Sequence, residues 1–389
     1  MLYIGRDIKS NENVYIDNEK SHAVLICGKR GSGKSYTLGV LIEELMEQKN
    51  FGKDSLIIVI DPMGIYYTMV QENYEQEELL WQWGLSPSRY PVRILVPGHP
   101  EELYGGGDII EAMEHLGVEI ASFKINPSDL SPEGWCELFD LGLSDVMGIS
   151  LFRAVRKLKR SRDFFTIDEI ISEIESDPRA SDKTKQALIN RLDMAKDWGV
   201  FSEYYVDTWS ILDKNAINVF DLSPLDPGAR GRRNLVVSVL AKQLFKHRTI
   251  ARRKEGLGLP AETPKVWMFI DEAHQFVPSG KSTLSKEILI RWVKEGRQPG
   301  LSLVLATQQP SALDSEVLSQ CDIIFVQKLT NKMDISAVNN LSHDYMGSEL
   351  KVYIRKLNRK GQAVLLDDYK EEIKLVQIRP RKSRHGGGE

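Results

Sequence analysis

The sequence predicts an α/β fold, a mostly parallel sheet with helices on its faces and an inserted α-helical subdomain. Three observations carry that reading. Short apolar runs bounded by Gly, Pro or Asp recur at 22–27, 55–60, 92–96, 217–220, 266–270, 301–306, 322–326 and 362–366. Their β-branched content and lack of strict alternation suit strands covered on both faces, as parallel strands are. Helical patterns lie between several of them, as at 36–48 and 284–295, and strand–helix alternation is how a parallel sheet is built. Between residues 127 and 205 the pattern turns almost wholly helical, with Phe152, Val155 and Leu158 spaced to share one face.

The expected order is a short N-terminal segment (1–20), a first part of the core (21–126), the helical insertion (127–210), a second part of the core (211–378) and a basic, glycine-rich tail (379–389). The tail is expected to be extended or mobile when unsupported. No internal repeat is present.

Composition narrows the function. The chain has 389 residues, 42% hydrophobic and 27% charged, ordinary for a globular protein with a sizeable core. Lys and Arg number 51 against 55 Asp and Glu, a net charge of -4. That balance argues against a wholly basic nucleic-acid coat and leaves room for local basic loops. Cys27, Cys136 and Cys321 lie far apart without CxxC spacing, so neither a disulfide framework nor a zinc site is indicated. Residues 1–20 are polar, unlike a signal peptide. The longest apolar runs are too short to span a bilayer. A cytoplasmic protein without a membrane partner is expected.

The first chemistry-bearing element is Gly28-Lys29-Arg30-Gly31-Ser32-Gly33-Lys34-Ser35. It fits G-x-x-x-x-G-K-[ST], with an apolar strand before it and a helix after it. Glycines let backbone N–H groups turn toward phosphate oxygens, and the helix adds its positive dipole end. Lys34 is expected to reach the β- and γ-phosphates of ATP and Ser35 to ligate Mg2+. The ATP-binding set is Gly28 to Ser35 plus Tyr36, the next helix residue.

Next along the chain, Asp61 ends the 55–60 run and precedes Pro62. It either assists in positioning water or caps a turn, as Asp-Pro pairs do. After the 217–220 run, Arg230, Arg232 and Arg233 fall in a Gly/Pro-rich loop and are the candidates for sequence-independent contact with DNA phosphates. Two other basic runs, 157–162 and 252–254, read better as solvated surface.

The 266–270 run is followed at once by Asp271 and Glu272. Adjacent acids there sit at the sheet's carboxyl edge, where nucleotides bind in open α/β folds. Asp271 is expected to hold the Mg2+ shell, and Glu272 to orient or deprotonate the attacking water. Arg297 leaves a helix just before the 301–306 run, and local sequence favours a solvated Arg at a helix C-terminus. That run ends in Thr307-Gln308-Gln309-Pro310. A Gln there can sense the γ-phosphate or simply end a turn, and Gln308 is preferred over Gln309.

With these residues in view, the chain resembles the HerA-like ATPases of the HerA/FtsK superfamily along nearly its whole length. The stretches that match in order are 27–35, 60–64, 221–223, 269–274, 294–297, 306–311, 318–321 and 379–388. The resemblance implies a RecA-like P-loop NTPase core assembled as a hexamer around double-stranded DNA, with ATP at subunit interfaces. It implies a trans arginine finger at Arg297, reversing the local reading, and a site role for Asp61. It also implies a tail that braces a neighbouring subunit, and a NurA-type nuclease or other effector as partner.

Two departures stand out. Family members carry an N-terminal β-barrel, of which residues 1–20 resemble the last strands or linker. The family's Asp-Pro-His-Gly-Glu-Tyr also has Met63 and Ile65 at the His and Glu positions. The function expected is a ring motor that hydrolyses ATP to translocate on or unwind duplex DNA. Its competitors are an ATP-gated scaffold for an effector or nuclease, and a secretion- or conjugation-type ATPase. A small-molecule P-loop kinase is disfavoured by the Asp271-Glu272 pair and the downstream Gln.

Overall fold

The computed structural model describes residues 1–49, 51–228, 231–341 and 350–387. In chain order the strands are β1 (Leu2–Asp7), β2 (Asn13–Ile16), β3 (Ala23–Cys27), β4 (Ser55–Asp61), β5 (Val92–Pro97) and β6 (Glu119–Phe123). They continue with β7 (Ile217–Asp221), β8 (Lys265–Ile270), β9 (Leu301–Thr307), β10 (Ile323–Val326), β11 (Gln362–Asp367) and β12 (Glu372–Ile378). All join one sheet in the order β2-β1-β12-β11-β10-β3-β9-β8-β4-β7-β5-β6. From β10 to β6 every pairing is parallel. The other four strands add antiparallel at one end. The fold is therefore the expected α/β class, a RecA-like P-loop core with a mostly parallel sheet.

The sheet is covered on both faces, and every residue of β3, β7 and β9 is buried. Side chains alternate across a strand, so each strand feeds two cores. Leu25, Ile58, Met268 and Leu303 face one core, built with the helices Arg232–Gly256 and Lys286–Glu295. Val24, Ile57, Phe269 and Val304 face the other, built with the helix Lys34–Met46. Four helices, Pro132–Leu138, Val146–Ser161, Ile167–Ser176 and Asp182–Asp197, fill the middle of the chain. Thr166 and Glu169 form a capping box at the third of these. Leu151, Val155, Ile170 and Leu188 belong to the same apolar cluster as the first sheet face, so this region is continuous with the main core.

Both termini are tied to the sheet. In residues 1–20, β1 pairs with β12 and β2 closes the sheet edge. The tail is supported by its own chain. Arg379 and Arg381 are fully buried and meet Glu43, a buried acid on the helix Lys34–Met46, at 2.9 and 3.4 Å. A buried carboxylate needs a cation, and the tail supplies two. Among the described residues no helix is long and apolar enough to cross a membrane, and all three cysteines are free and buried.

Candidate functional site

At the carboxyl end of β3 the chain turns through Gly28–Gly33 into the helix Lys34–Met46. A Cβ on Gly28 would lie 2.5 Å from Ser32 Oγ and 2.8 Å from Gln327 Cβ, so no larger residue fits. Gly33 starts the helix at φ 107, a left-handed conformation that glycine adopts without penalty. Lys34 is buried and its Nζ donates across the loop to the Lys29 carbonyl at 3.2 Å. Burial pushes its pKa down, against the pull of Glu272 and then Asp271.

Sequence reading missed the loop's brace. Gln327, the residue after β10, is fully buried. Its Oε1 accepts from Ser32 Oγ at 2.9 Å, and its Nε2 donates to Thr37 Oγ1 at 2.8 Å. The signal was there in weak form, since an amide closes an apolar strand that pairs with the loop's own strand.

Three neighbouring strands, β8, β4 and β7, deliver Asp271, Asp61 and Asp221 to one edge. All three are buried. Asp61 accepts four backbone N–H groups, Met63 (3.0 Å) and Gly64 (2.8 Å) on Oδ1, Ile65 (2.7 Å) and Tyr66 (2.9 Å) on Oδ2. Of its two expected roles, turn capping is the one the geometry displays. Because it reads backbone, the Met63 and Ile65 departures leave its contacts intact. Burial first, and then the Asp221 charge, push the Asp61 carboxyl up to about 7 against those hydrogen bonds.

Asp221 is held by Ser223 N at 2.8 Å and Tyr104 OH at 2.6 Å. Asp271 is held by Glu272 N at 2.9 Å and Tyr66 OH at 3.0 Å. Tyr66, also missed from sequence, is pushed well above the usual tyrosine range by burial and then by the Asp271 charge. It remains a neutral donor.

Glu272 sits at φ 48, left-handed for a non-glycine residue, a strain of order 1 kcal/mol or more that tends to mark functional sites. Its Oε1 accepts from Gln308 Nε2. Its Oε2 is buried without a hydrogen-bond partner, with His274 Nδ1 3.4 Å away. Gln308 is half-buried at the site, whereas Gln309 is exposed and contributes its backbone N–H to Thr307 Oγ1 at 3.0 Å. The glycine cradle, the Lys34 amine and the orphaned Glu272 oxygen fit a nucleotide with its metal. Among the described residues no cluster of His, Cys, Asp or Glu could hold a metal alone, so Mg2+ would arrive with the phosphates, between Ser35 and Asp271.

Other expected residues lie elsewhere. Tyr36 turns toward the tail, donating to Gln76 Oε1 at 2.6 Å and accepting Arg381 N at 2.6 Å. Arg297 is at the opposite sheet edge, before β9 begins. It is 65% exposed and pairs with Asp322 at 3.1 Å. The five residues of β3, about 16 Å of strand, separate that edge from the loop, so Arg297 cannot serve the site of its own chain. Arg232 pairs with Asp226 at 2.8 Å. Arg233 is buried and committed to Leu225 O, Gln275 Oε1 and Ser223 O. It braces the loop with three of its five N–H groups. Arg230 lies outside the described residues.

The family description "Helicase HerA, central domain" matches residues 2–244. A probable helicase of Methanocaldococcus jannaschii is 25% identical over 99% of this chain and 68% of its own length. The DNA double-strand break repair helicase HerA of Pyrococcus furiosus is 24% identical over 90% of this chain and 63% of its own. That of Sulfolobus acidocaldarius is 24% identical over 96% and 68%. The chain thus spans roughly two thirds of these relatives. Among solved structures, VirB4 of Thermoanaerobacter pseudethanolicus superposes with TM-score 0.58 at 16% identity, covering 97% of this chain and 96% of that one. This last likeness concerns the fold alone. The chain belongs to the HerA helicase central-domain family and is an ATP-hydrolysing enzyme.

Proposed function

We propose that this HerA-family ATPase works as a ring of identical copies that moves along double-stranded DNA, each copy completing its neighbour's nucleotide site. The observation carrying this reading is the position of Arg297. It is exposed, on the sheet edge opposite the glycine loop, and held among the described residues only by Asp322. An arginine so placed can stabilise phosphoryl-transfer charge only in trans.

Within one copy the proposed roles are these. Backbone N–H groups of 28–35 and the Lys34 amine receive the phosphates of ATP. Ser35 and Asp271 would hold Mg2+, which when bound would neutralise charge on the phosphate oxygens. Tyr66 and the Glu272 N–H fix the Asp271 carboxylate. The free Oε2 of Glu272 accepts a proton from the attacking water, while Gln308 holds Oε1 and couples that carboxylate to the end of β9. Of the loop arginines, Arg230 and Arg232 stay the first candidates for phosphate contact, with Arg233 buried, and a NurA-type nuclease or other effector remains the expected partner.

The test is steady-state ATPase activity with and without linear duplex DNA, for the wild type, Glu272→Gln and Arg297→Ala. DNA is expected to stimulate turnover, and each substitution to lower it at least a hundredfold. Mixing the two inactive variants should restore partial activity, because a mixed interface can pair an intact Glu272 with an intact Arg297. Turnover indifferent to DNA and to Arg297→Ala would instead make the chain an ATP-gated scaffold.

A further inference from the structure

The helical middle of the chain holds a second feature that ATP chemistry does not use. A cavity of about 590 Å³ opens between the helix Val146–Ser161 and the segment that follows the helix Ile167–Ser176. Five cations line it, Arg153, Arg156, Lys157, Arg160 and Arg179, against the carboxylates Glu173 and Asp177. Arg153 and Arg179 pair with Asp177, and Lys157 pairs with Glu173. Arg156 and Arg160 are exposed, and among the described residues neither has an ionic partner. Other cations of the same run are occupied, Lys159 with the Ser128 carbonyl and Arg162 with Glu169.

A solvated face is the bland account, and it fails on two counts. Like charges four residues apart on a helix repel; Arg153 and Lys157 are offset by Asp177 and Glu173, but Arg156/Arg160 is such a pair without a carboxylate partner among the described residues. The helix dipole favours Arg160 in the last turn but offers nothing to Arg156, which lies further back. An arrangement that costs stability and leaves two guanidinium groups facing one cavity suits an anionic ligand.

We infer that this cavity is a binding site for the phosphodiester backbone of duplex nucleic acid, with Arg156 and Arg160 as its two contacts. No aromatic side chain lines it, so it has no platform on which a free nucleotide or a splayed base would stack. Arg156 and Arg160 stand about 6 Å apart along the helix axis, over which one strand of a duplex presents about two phosphates. The site takes its polymer from the DNA-acting reading above, but its residues are not part of the nucleotide site. It reads backbone and carries no sequence preference.

The test uses the full chain, a short fluorescent duplex and anisotropy titrations over a range of salt. Arg156→Glu/Arg160→Glu should weaken binding about tenfold or more and flatten the log–log salt slope by about two. Its DNA-free ATPase rate and melting temperature should stay at wild-type values. Arg156→Lys/Arg160→Lys should keep most of the affinity. A wild type that binds and is stimulated by duplex, beside a charge-reversed variant with the same affinity and slope, would overturn this site and leave the motor standing. A wild type that neither binds nor responds to duplex would overturn both. Full competition by inorganic tripolyphosphate at equal phosphate concentration would also overturn it, by making the cavity a free-polyphosphate site.

Discussion

Glu43 and Asp61 are both wholly removed from water, at 0% and 1% exposure, yet they reach opposite charge states. Burial alone would raise both carboxyls. At Glu43 the guanidinium groups of Arg379 and then Arg381, helped by Ser383, outweigh it and hold the group below the usual carboxylate range. Lys382 N and Ser383 N donate to it as well, at 3.1 and 2.9 Å. At Asp61 the donors among the described residues are backbone N–H groups, and burial and then the Asp221 charge push the acid up to about 7. The fold therefore closes the tail with a fixed ionic cross-link. At the nucleotide edge it keeps one of three crowded acids ready to be neutral.

The largest expected effect comes from cutting the cross-link. Glu43→Gln takes the carboxylate from the buried Arg381 and leaves the buried Arg379 with Glu44 alone, at 2.9 Å, and should cost about 3–5 kcal/mol in urea unfolding of the nucleotide-free protein. A loss under about 1 kcal/mol would mean that the tail's other hydrogen bonds hold it without Glu43.

Next comes acidity. Asp61 keeps a proton in the native state between its ordinary value of 3.8 and about 7, where the unfolded chain has released it. Its contribution to stability is thus complete below about 4 and falls as pH rises toward 7. Glu43, depressed from its ordinary 4.5, works the other way, its contribution present above that value and lost as pH falls below it. Stability of the nucleotide-free wild type should pass through a maximum between these windows. In Asp61→Asn the decline toward neutral pH should disappear, while the acid limb remains. Retention of the same decline would assign it to another group.

The smallest effect belongs to Tyr66→Phe. Only the hydroxyl on Asp271 is lost, so stability should drop by about 1 kcal/mol. Turnover should fall several-fold with a raised Mg2+ requirement, measured by metal titration at saturating ATP. An unchanged metal requirement would reduce Tyr66 to a packing residue of the edge.

The two hubs differ again in how much of them could be read in the sequence. The glycine loop and the Asp271-Glu272 pair were legible because each motif is contiguous and flanked by its own strand. The braces were not, because their partners meet only once the strands are ordered. Gln327 reaches Thr37 across 290 residues, Tyr66 reaches Asp271 across 205, and Arg379 reaches Glu43 across 336. The eight expected apolar runs all became strands. β1, β2, β6 and β12 escaped because edge and antiparallel strands tolerate polar residues such as Arg6, Asn13, Glu119 and Lys374. Arg297 was ambiguous for a different reason. Its local setting resembles any solvated helix end, and only the sheet direction puts it on the far edge from the loop.

The ionic cross-link has a consequence for how the protein is made. A ribosome working at 5–20 residues per second needs roughly 20–70 seconds to travel from Glu43 to Arg379. Throughout that interval the helix behind the glycine loop carries an acid whose cations do not yet exist. It can dock on β3 only by taking up a proton or by burying that charge uncompensated. Closing of the nucleotide-binding half is therefore expected to tighten once residues 379–383 emerge, a late event in synthesis.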